Sequence, residues 1–456
     1  MIVPRSRLIF WVGLVVLPFA TLAGAIPSTI ALSLGLIAVL LALTLLDAVM
    51  ALRSLDGISV ELPEVVRLSK DREGAIDLHI RNDRMKAKGL RLGLAFPKEI
   101  VSPSQDLYTL LPAERQFSRV SWPCQAFERG RYILDKCYLE VLSPLGFWAV
   151  RSSSPAYAEV RVYPNLLSER KNLAALFLNR GLLGIHAQRQ VGKGREFEEL
   201  RDYIPGDSFE DIHWKATAKR GRPITKVFQI ERTQEVYIII DASRLSARRA
   251  DLMTEDGISK SGNPDDSRTT IMERFVTAAL VMGLAAKRQG DLFGILTFSG
   301  KVQSFMKAKN GNAHYNACRD ALYMLHAQGV TPDFAELFAF LGLHLRRRAL
   351  LVFLTNLDDF VLGESFRRNM DLVCRRHLVL VNMMKPNRAR PLFSGPEVRS
   401  IDDLYQNLGG HHLWTSLREL EKLLQRQGVR FTLLDNEMMC AQLVSQYIDI
   451  KQRQLL

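Results

Sequence analysis

Three rhythms of hydrophobic and polar positions follow one another along the chain. From Leu8 to Leu46 no charged residue occurs. That is about twice the ~20 apolar residues needed to cross a bilayer once. Gly24, Pro27 and Ser28 punctuate the stretch, so it predicts two spans, about 8–25 and 28–46, forming a hairpin. From about residue 57 to 164 the rhythm changes to period two: Ile76, Leu78 and Ile80 alternate with Asp77, His79 and Arg81, and Leu90, Leu92, Leu94 and Phe96 share one face. About seven short strands separated by turns predict a small antiparallel sandwich, with His79 on its solvated face. From about Thr233 the strands become continuous apolar runs: Val236–Ile240, Leu292–Phe298, Ala349–Leu354, His377–Val381 and Val429–Leu434. Helical patterns alternate with them at Ile271–Arg288, about 311–327, about 333–346, Leu413–Gln427 and Glu437–Gln452. This alternation predicts a parallel sheet covered by helices on both faces.

The domain organisation read from these rhythms is a membrane hairpin over 1–56, a β-sandwich over 57–164, a linker and signature segment over 165–232, and an α/β domain over 233–456. A cleaved signal peptide competes with the first span, because Arg5 and Arg7 resemble a positive leader and Ala23-Gly24-Ala25 fits a cleavage site. The equally apolar block that follows favours the hairpin. Arg5 and Arg7 should stay on the cytoplasmic side. Two spans then return the rest of the chain to that side, which predicts a multi-pass protein of the cell inner membrane with its bulk in the cytoplasm. Five scattered cysteines, with no C-x-x-C spacing, fit a reducing compartment and argue against a structural zinc or redox pair.

A net charge of +13 permits contact with nucleic acid or an anionic membrane without requiring either. The densest charged segment argues against a nucleic-acid site. From Lys193 to Arg232 there are nine Lys/Arg and eight Asp/Glu, whereas nucleic-acid binding needs one-sided positive charge. Phe197, Tyr203 and Trp214 are interleaved with these charges, and Pro205-Gly206-Asp207 predicts a tight turn. Balanced charge around aromatic residues suggests either internal ion pairs in a structural clasp or a specific protein contact. The residues singled out for protein interaction are Arg195, Phe197, Arg201, Tyr203, Asp207, Trp214 and Lys215. The chain has no phosphate-binding P-loop, no third glycine of a dinucleotide fingerprint and no G-x-S-x-G elbow. His411 and His412 are adjacent, and the sequence suggests a surface loop pair.

The run G-R-E-F-x-x-L-R-x-Y-x-P-G-D-x-x-x-x-I-x-W-K-A-x-A-K, from Gly194 to Lys219, closely resembles the hallmark of family fifty-eight of the domains of unknown function. Arg129-Gly130-Arg131-Tyr132 extends the resemblance upstream. Ser143-Pro144-Leu145-Gly146-Phe147 is similar to the family's D-P-x-G-L/F step, with Ser143 where Asp is usual. The resemblance spans nearly the whole chain and implies a membrane hairpin, a β-rich region and a doubly wound α/β domain similar to the von Willebrand factor type A fold. It also implies companionship with a MoxR-type AAA+ ATPase.

Such a fold often carries a metal-ion-dependent adhesion site opening on D-x-S-x-S. Here Asp241 and Ser243 match, and Leu245 replaces the second hydroxyl. Thr331 resembles the motif's threonine, and Asn356 stands where a third-loop Asp is usual, with Asp358 and Asp359 beyond. The loss of one hydroxyl and one carboxylate predicts no metal, or weakly bound Mg²⁺, since a hard cation wants several oxygen ligands. Arg346-Arg347-Arg348 reads as a solvated helix end. The leading expectation is a membrane-anchored, cytoplasmic-facing interaction scaffold without enzymatic activity, small-molecule substrate or nucleic-acid partner. The alternative is a metal-assisted hydrolase using Asp241, Asp207 or Asp358, for which those carboxylates must converge in a cleft.

Overall fold

The structure is a computed structural model. It describes all residues except 86–87, 168, 170–190, 206, 230–233, 251–268, 387–388, 393, 395–399 and 454–456, with the backbone alone for 191–199 and 227–229. The chain divides into two compact units, Met1–Asn165 and Leu166–Leu456.

The first unit opens with a short strand β1 (Ile2–Pro4) and two apolar helices, α1 (Ser6–Ala25) and α2 (Pro27–Ala51). Both are long and apolar enough to cross a membrane. Their apolar side chains face outward along most of their length, as lipid-facing helices do and soluble core helices do not. The second helix runs to Ala51, past the end at residue 46 read from hydropathy, because Asp47 is fully buried against protein and does not mark a water boundary.

Nine strands follow: β2 (Ile58–Glu61), β3 (Val65–Ser69), β4 (Glu73–Asn82), β5 (Lys88–Leu94), β6 (Ile100–Val101), β7 (Asp106–Leu111), β8 (Phe117–Ala126), β9 (Gly130–Leu142) and β10 (Trp148–Tyr163). They form a four-stranded sheet, β2-β4-β8-β6, and a six-stranded one, β1-β10-β9-β5-β7 with β3 beside β10. The period-two rhythm explains the packing. Ile76, Leu78 and Ile80 are buried while His79 is exposed, and Leu90 and Leu92 are buried on the facing sheet. The strands outnumber the seven read from the sequence, partly because β1 precedes the hairpin. It pairs antiparallel with β10, Ile2 opposite Val150 and Pro4 opposite Trp148. The strand before the hairpin therefore joins the larger sheet and β2, the first strand after it, the smaller one, so both ends of the hairpin lie against this β unit.

The base of the hairpin is tied to this unit by polar contacts. Asp47 accepts hydrogen bonds from the Ser143 hydroxyl (2.6 Å), the Leu145 N–H (2.9 Å) and the Phe147 N–H (3.2 Å). Ser143 Oγ in turn accepts the Trp148 N–H at 3.0 Å, and the Trp148 indole donates to the Thr44 carbonyl at 2.9 Å. Arg5 N–H donates to the Phe147 carbonyl at 2.9 Å. Gly146 sits at φ +78, with the Arg7 side chain against its open face. Ser143 thus donates to a carboxylate supplied by the helix, Asp47.

The second unit contains a two-stranded sheet, β11 (Val191–Asp202) with β12 (Ile224–Gln229), joined through a short helix α3 (Trp214–Arg220). Beyond it lies a six-stranded sheet of order β15-β14-β13-β16-β17-β18: β13 (Glu235–Asp241), β14 (Leu292–Phe298), β15 (Val302–Lys309), β16 (Leu350–Leu354), β17 (Leu378–Met384) and β18 (Arg430–Leu434). Only β15 is antiparallel. The helices are α4 (Ile271–Arg288), α5 (Asn312–Leu322), α6 (Phe334–His344), α7 (Phe360–Cys374), α8 (Ile401–Arg426) and α9 (Met439–Gln452). Two buried clusters line the two faces of the sheet, one including Ile238, Phe275 and Val352, the other Ile239, Phe353 and Phe366. This is the doubly wound α/β class expected from the apolar runs.

Three elements depart from the sequence reading, the first being helix α7, which that reading did not include. Strand β15 is an edge strand with alternating exposure, so it lacks the continuous apolar run that marks its neighbours. Helix α8 begins twelve residues before the expected Leu413, at a capping box in which Ser400 and Asp403 bond reciprocally. His411 and His412 therefore lie on a helix, not in a loop, and His411 stacks on Trp414 at 5.8 Å. All five cysteines are free, four of them buried.

Candidate protein-docking site

Two places in the second unit hold the residues singled out from the sequence: the signature module and the C-terminal edge of the parallel sheet.

In the signature module, Arg195 and Phe197 lie on β11, with the Phe197 backbone opposite that of Phe228. Their side chains lie outside the described residues. Arg201 donates to Asp207 at 2.7 Å. The other oxygen of Asp207 accepts the Ile204 N–H at 3.1 Å and the Thr225 hydroxyl at 3.3 Å. The Ile204 amide and the Arg201 guanidinium hold the Asp207 carboxyl below the usual carboxylate range. Arg222 pairs with Asp202 at 3.0 Å. These bonds pin the turn at Pro205 between the two strands.

The following helix is built by the rest of the motif. Ile212 and Ile224 are buried. His213 caps the helix through Nδ1, which accepts the Ala216 N–H at 3.0 Å. The Thr217 hydroxyl accepts the Ile224 N–H at 3.0 Å. Gly221, at φ +66, ends the helix in the left-handed conformation. Half of the signature is thus architecture. The remainder points outward: Trp214 is 69% exposed, Phe209 73% and Ile204 56%. Tyr203 stacks against Phe209 at 6.0 Å, and Lys215 is exposed beside Trp214. Of the residues singled out from the sequence, Trp214 and Lys215 are exposed and Tyr203 half-buried; Ile204 and Phe209, not singled out, are exposed beside them in the chain. The signal for those two was available, since apolar residues flanking a Pro-Gly turn cannot all be buried in so short a module.

At the sheet edge, β13 lies between β14 and β16, where the strand order reverses. Such a switch point opens a crevice at the strand ends. Asp241 closes β13 there and is fully buried. One carboxylate oxygen accepts the Ser243 N–H at 2.9 Å, and the other accepts the Thr355 hydroxyl at 2.7 Å. Burial raises the Asp241 pKa above the ordinary carboxylate value, and the hydrogen bonds from Thr355 and Ser243 oppose that rise. Ser243 is buried, and its Oγ accepts the Leu245 N–H at 3.4 Å. Asn356 is buried and donates to the Leu245 carbonyl at 3.4 Å. Thr331 is exposed, on a loop tethered to the strand ends by the bond from the Arg244 N–H to the Val330 carbonyl at 3.0 Å. Asp358 pairs with Arg248, and Asp359 caps α7 by accepting the Val361 N–H at 2.9 Å.

The structure thus brings Asp241, Ser243 and Asn356 to one strand end and Thr331 to the neighbouring loop. Thr355, which the strand-end position after the third apolar run also singles out, is the donor to Asp241. As a dication site the donor set is poor. It holds one carboxylate whose two oxygens already accept protein hydrogens, a buried leucine at the second hydroxyl position, and an exposed threonine. Among the described residues no three His, Cys, Asp or Glu side chains converge to hold a metal.

Comparison with known proteins adds three findings. No curated protein matches the sequence. Among solved structures, the VWA domain of SpRpn10 is 10% identical over 47% of this chain and 95% of its own, with a TM-score of 0.27. A conserved hypothetical protein BatB from Bacteroides thetaiotaomicron is 12% identical over 48% of this chain and 99% of its own, TM-score 0.29. An aerotolerance-related membrane protein from Bacteroides fragilis is 12% identical over 47% and 98%, TM-score 0.27. The sequence profile of the family described as "Protein of unknown function DUF58" matches residues 199–396, which run from the second half of the signature strand through the buried strands of the parallel sheet. The family resemblance read from the signature is borne out over that range: residues 199–396 match the DUF58 model, and two apolar helices precede them in this chain.

Proposed function

We propose that this chain is a membrane-anchored interaction scaffold that presents its signature module to a protein partner on the cytoplasmic side of the inner membrane. The observation that carries this reading is the exposure of Ile204, Phe209 and Trp214 on a module in which Arg201 pairs with Asp207 and Arg222 with Asp202. An apolar, aromatic-centred patch on a rigid frame, rimmed by Lys215, has the anatomy of a binding hot spot. Arg201 and Asp207 hold the frame and Tyr203 backs Phe209, while Trp214 and Lys215 make the contact. The balanced charge favours a protein over nucleic acid. The family resemblance favours a MoxR-type AAA+ ATPase as that protein. The cytoplasmic assignment is supported by Arg5 and Arg7 at the start of the first helix, together with the pairing of β1 and β10 on one side of the hairpin.

The strand end at Asp241 acts in this reading as a metal-independent support, with Thr355 and the Ser243 amide in the role that a cation's field would otherwise play. No general acid, base or nucleophile is assigned, because the described carboxylates near the strand ends are each committed to a structural bond.

The test is crosslinking and affinity capture of the full chain from solubilised membranes, with Phe209→Ala/Trp214→Ala in parallel. Both side chains are exposed, so stability should change by no more than about 0.5 kcal/mol. Capture of an AAA+ ATPase of the MoxR type should fall at least tenfold. Equal capture by both proteins, or no specific partner for either, would count decisively against the docking surface.

A further inference from the structure

The first unit contains a cavity of about 760 Å³ at the base of the hairpin, and nothing in the scaffold reading uses it. Its lining includes Arg5, Arg53, Arg84, Lys88 and Arg91 against a single acid, Glu140. The acidic groups in and around it are already engaged. Glu140 pairs with Arg151 at 2.7 Å and with Arg91 at 3.3 Å, Asp106 pairs with Arg91, and Asp56 pairs with Arg84 at 2.9 Å. Arg84 also donates to the Arg53 carbonyl at 2.9 Å, and the Lys88 ammonium donates to the Ser54 carbonyl. These bonds fix the segment after the second helix as one wall. Among the described residues, Arg5 and Arg53 face no carboxylate.

Their positions in the chain matter as much as their charge. Arg5 immediately precedes α1, and Arg53 lies two residues beyond the end of α2. Both therefore stand where the apolar helices end, at the level of lipid headgroups if the hairpin spans a bilayer. Met50, Leu110 and Leu142 add apolar wall to the same cavity, and all three are exposed. Two arginines without partners, a basic lining and an apolar flank at that depth match one kind of molecule, a phosphate attached to acyl chains.

We propose that this cavity seats the headgroup of an anionic phospholipid. Arg5 and Arg53 bind the phosphate through charge-assisted hydrogen bonds, and Met50, Leu110 and Leu142 receive the first carbons below it. The lipid would couple the hairpin to the β unit at the point where Asp47 already clasps the Ser143–Phe147 turn. The proposal rests on the membrane-anchor part of the preceding reading and is independent of the partner.

The experiment uses the full chain in detergent micelles, titrated with dioctanoyl phosphatidylglycerol, dioctanoyl phosphatidylcholine or inorganic phosphate, with melting temperature as the readout. Phosphatidylglycerol should raise the melting temperature saturably, and the other two should not. Arg5→Gln/Arg53→Gln should weaken the phosphatidylglycerol effect at least tenfold, while Arg5→Lys/Arg53→Lys keeps most of it. Arg346→Gln/Arg347→Gln, which removes the same charge from the other unit, should leave it intact. Should the glutamine variant not fold, Leu110→Glu, at an exposed position, tests the cavity by adding repulsive charge and should also weaken binding. An equal rise with phosphatidylcholine, an equal rise with phosphate alone, or an equal loss in the Arg346/Arg347 variant would each overturn the headgroup site. Carbonate extraction of membranes separates the two readings. A chain that resists extraction yet shows no phosphatidylglycerol preference overturns the headgroup site and leaves the anchor standing, and a chain that is extracted overturns both.

Discussion

Asp47 and Asp241 are both fully buried, and they are held in different ways. Asp47 accepts three hydrogen bonds, all from a turn 96 to 100 residues downstream. It joins two parts of the first unit that the sequence separates widely. Asp241 accepts two, one from the loop it begins and one from the neighbouring strand's end. It shapes a single strand terminus. The comparison shows that a buried carboxylate is not in itself a sign of a metal or of catalysis. What its oxygens already accept decides its role. Asp47 accepts three donors from one distant turn, while Asp241, with two, has its pKa pushed up by burial.

The comparison would break most visibly at Asp47. Asp47→Ala removes the acceptor of the buried Ser143 hydroxyl and of the part-buried Leu145 and Phe147 amides. A donor left without its acceptor away from water costs roughly 1–3 kcal/mol, with incomplete additivity. The full chain in detergent should lose about 3 kcal/mol or more, with protease cleavage appearing between the helices and the β unit. A loss under about 1 kcal/mol would mean that the clasp is ornamental and that β1 alone holds the hairpin base.

A pair of matched hydroxyl deletions sharpens the contrast. Ser143 donates to Asp47 and accepts the Trp148 amide, whereas the Thr355 hydroxyl makes one recorded bond, to Asp241. Ser143→Ala should therefore cost about 2 kcal/mol and Thr355→Val about 1 kcal/mol, read as melting temperature or denaturant midpoint. The reverse order would show that the Asp241 end depends on its hydroxyl more than the hairpin base does.

The two aspartates also differ in how legible they were. Asp241 stands at the end of an apolar run and opens a D-x-S pattern, so local sequence was sufficient to find it. Its partner Thr355 stands at the end of the next buried strand and is legible in the same way, though its bond to Asp241 is not. Asp47 gave no local signal beyond ending an uncharged stretch, because its partners are near a hundred residues away and no periodicity encodes a contact of that range. The same rule runs through the fold. Buried parallel strands announce themselves by composition, so β13, β14 and β16 were read nearly to the residue. The edge strand β15 and the N-terminal strand β1 were not, because an edge strand needs no long apolar run and β1 is three residues long. In the signature, spacing revealed that residues were special without revealing which face inward. Arg201 and Asp207 proved to be frame, and Trp214 proved to be surface.

The smallest effect, and the sharpest on charge, is expected from Asp241→Asn measured against pH. The folded-state pKa of Asp241 is raised above the ordinary value of 3.8. Between that value and the raised one, the folded protein keeps a proton that the unfolded chain has released. Stability contributed by this group is therefore present at low pH and falls as pH rises through that window. The asparagine variant has no proton to lose there, while the other carboxylates titrate alike in both proteins. The melting temperature of the variant minus that of the wild type should thus climb as pH rises from about 4 toward neutrality. Added Mg²⁺ should not change this, because a cation would have to displace the Ser243 amide and Thr355 hydroxyl from the only carboxylate on offer. A cation bound there at about a hundred times its dissociation constant would stabilise the fold by about 2.7 kcal/mol and would favour the charged form, reversing the pH slope in the wild type alone. That reversal would restore a metal to the strand end and reopen metal-assisted hydrolysis. Its absence leaves Asp241 as a structural acceptor, of the same kind as Asp47 and less well supplied with donors.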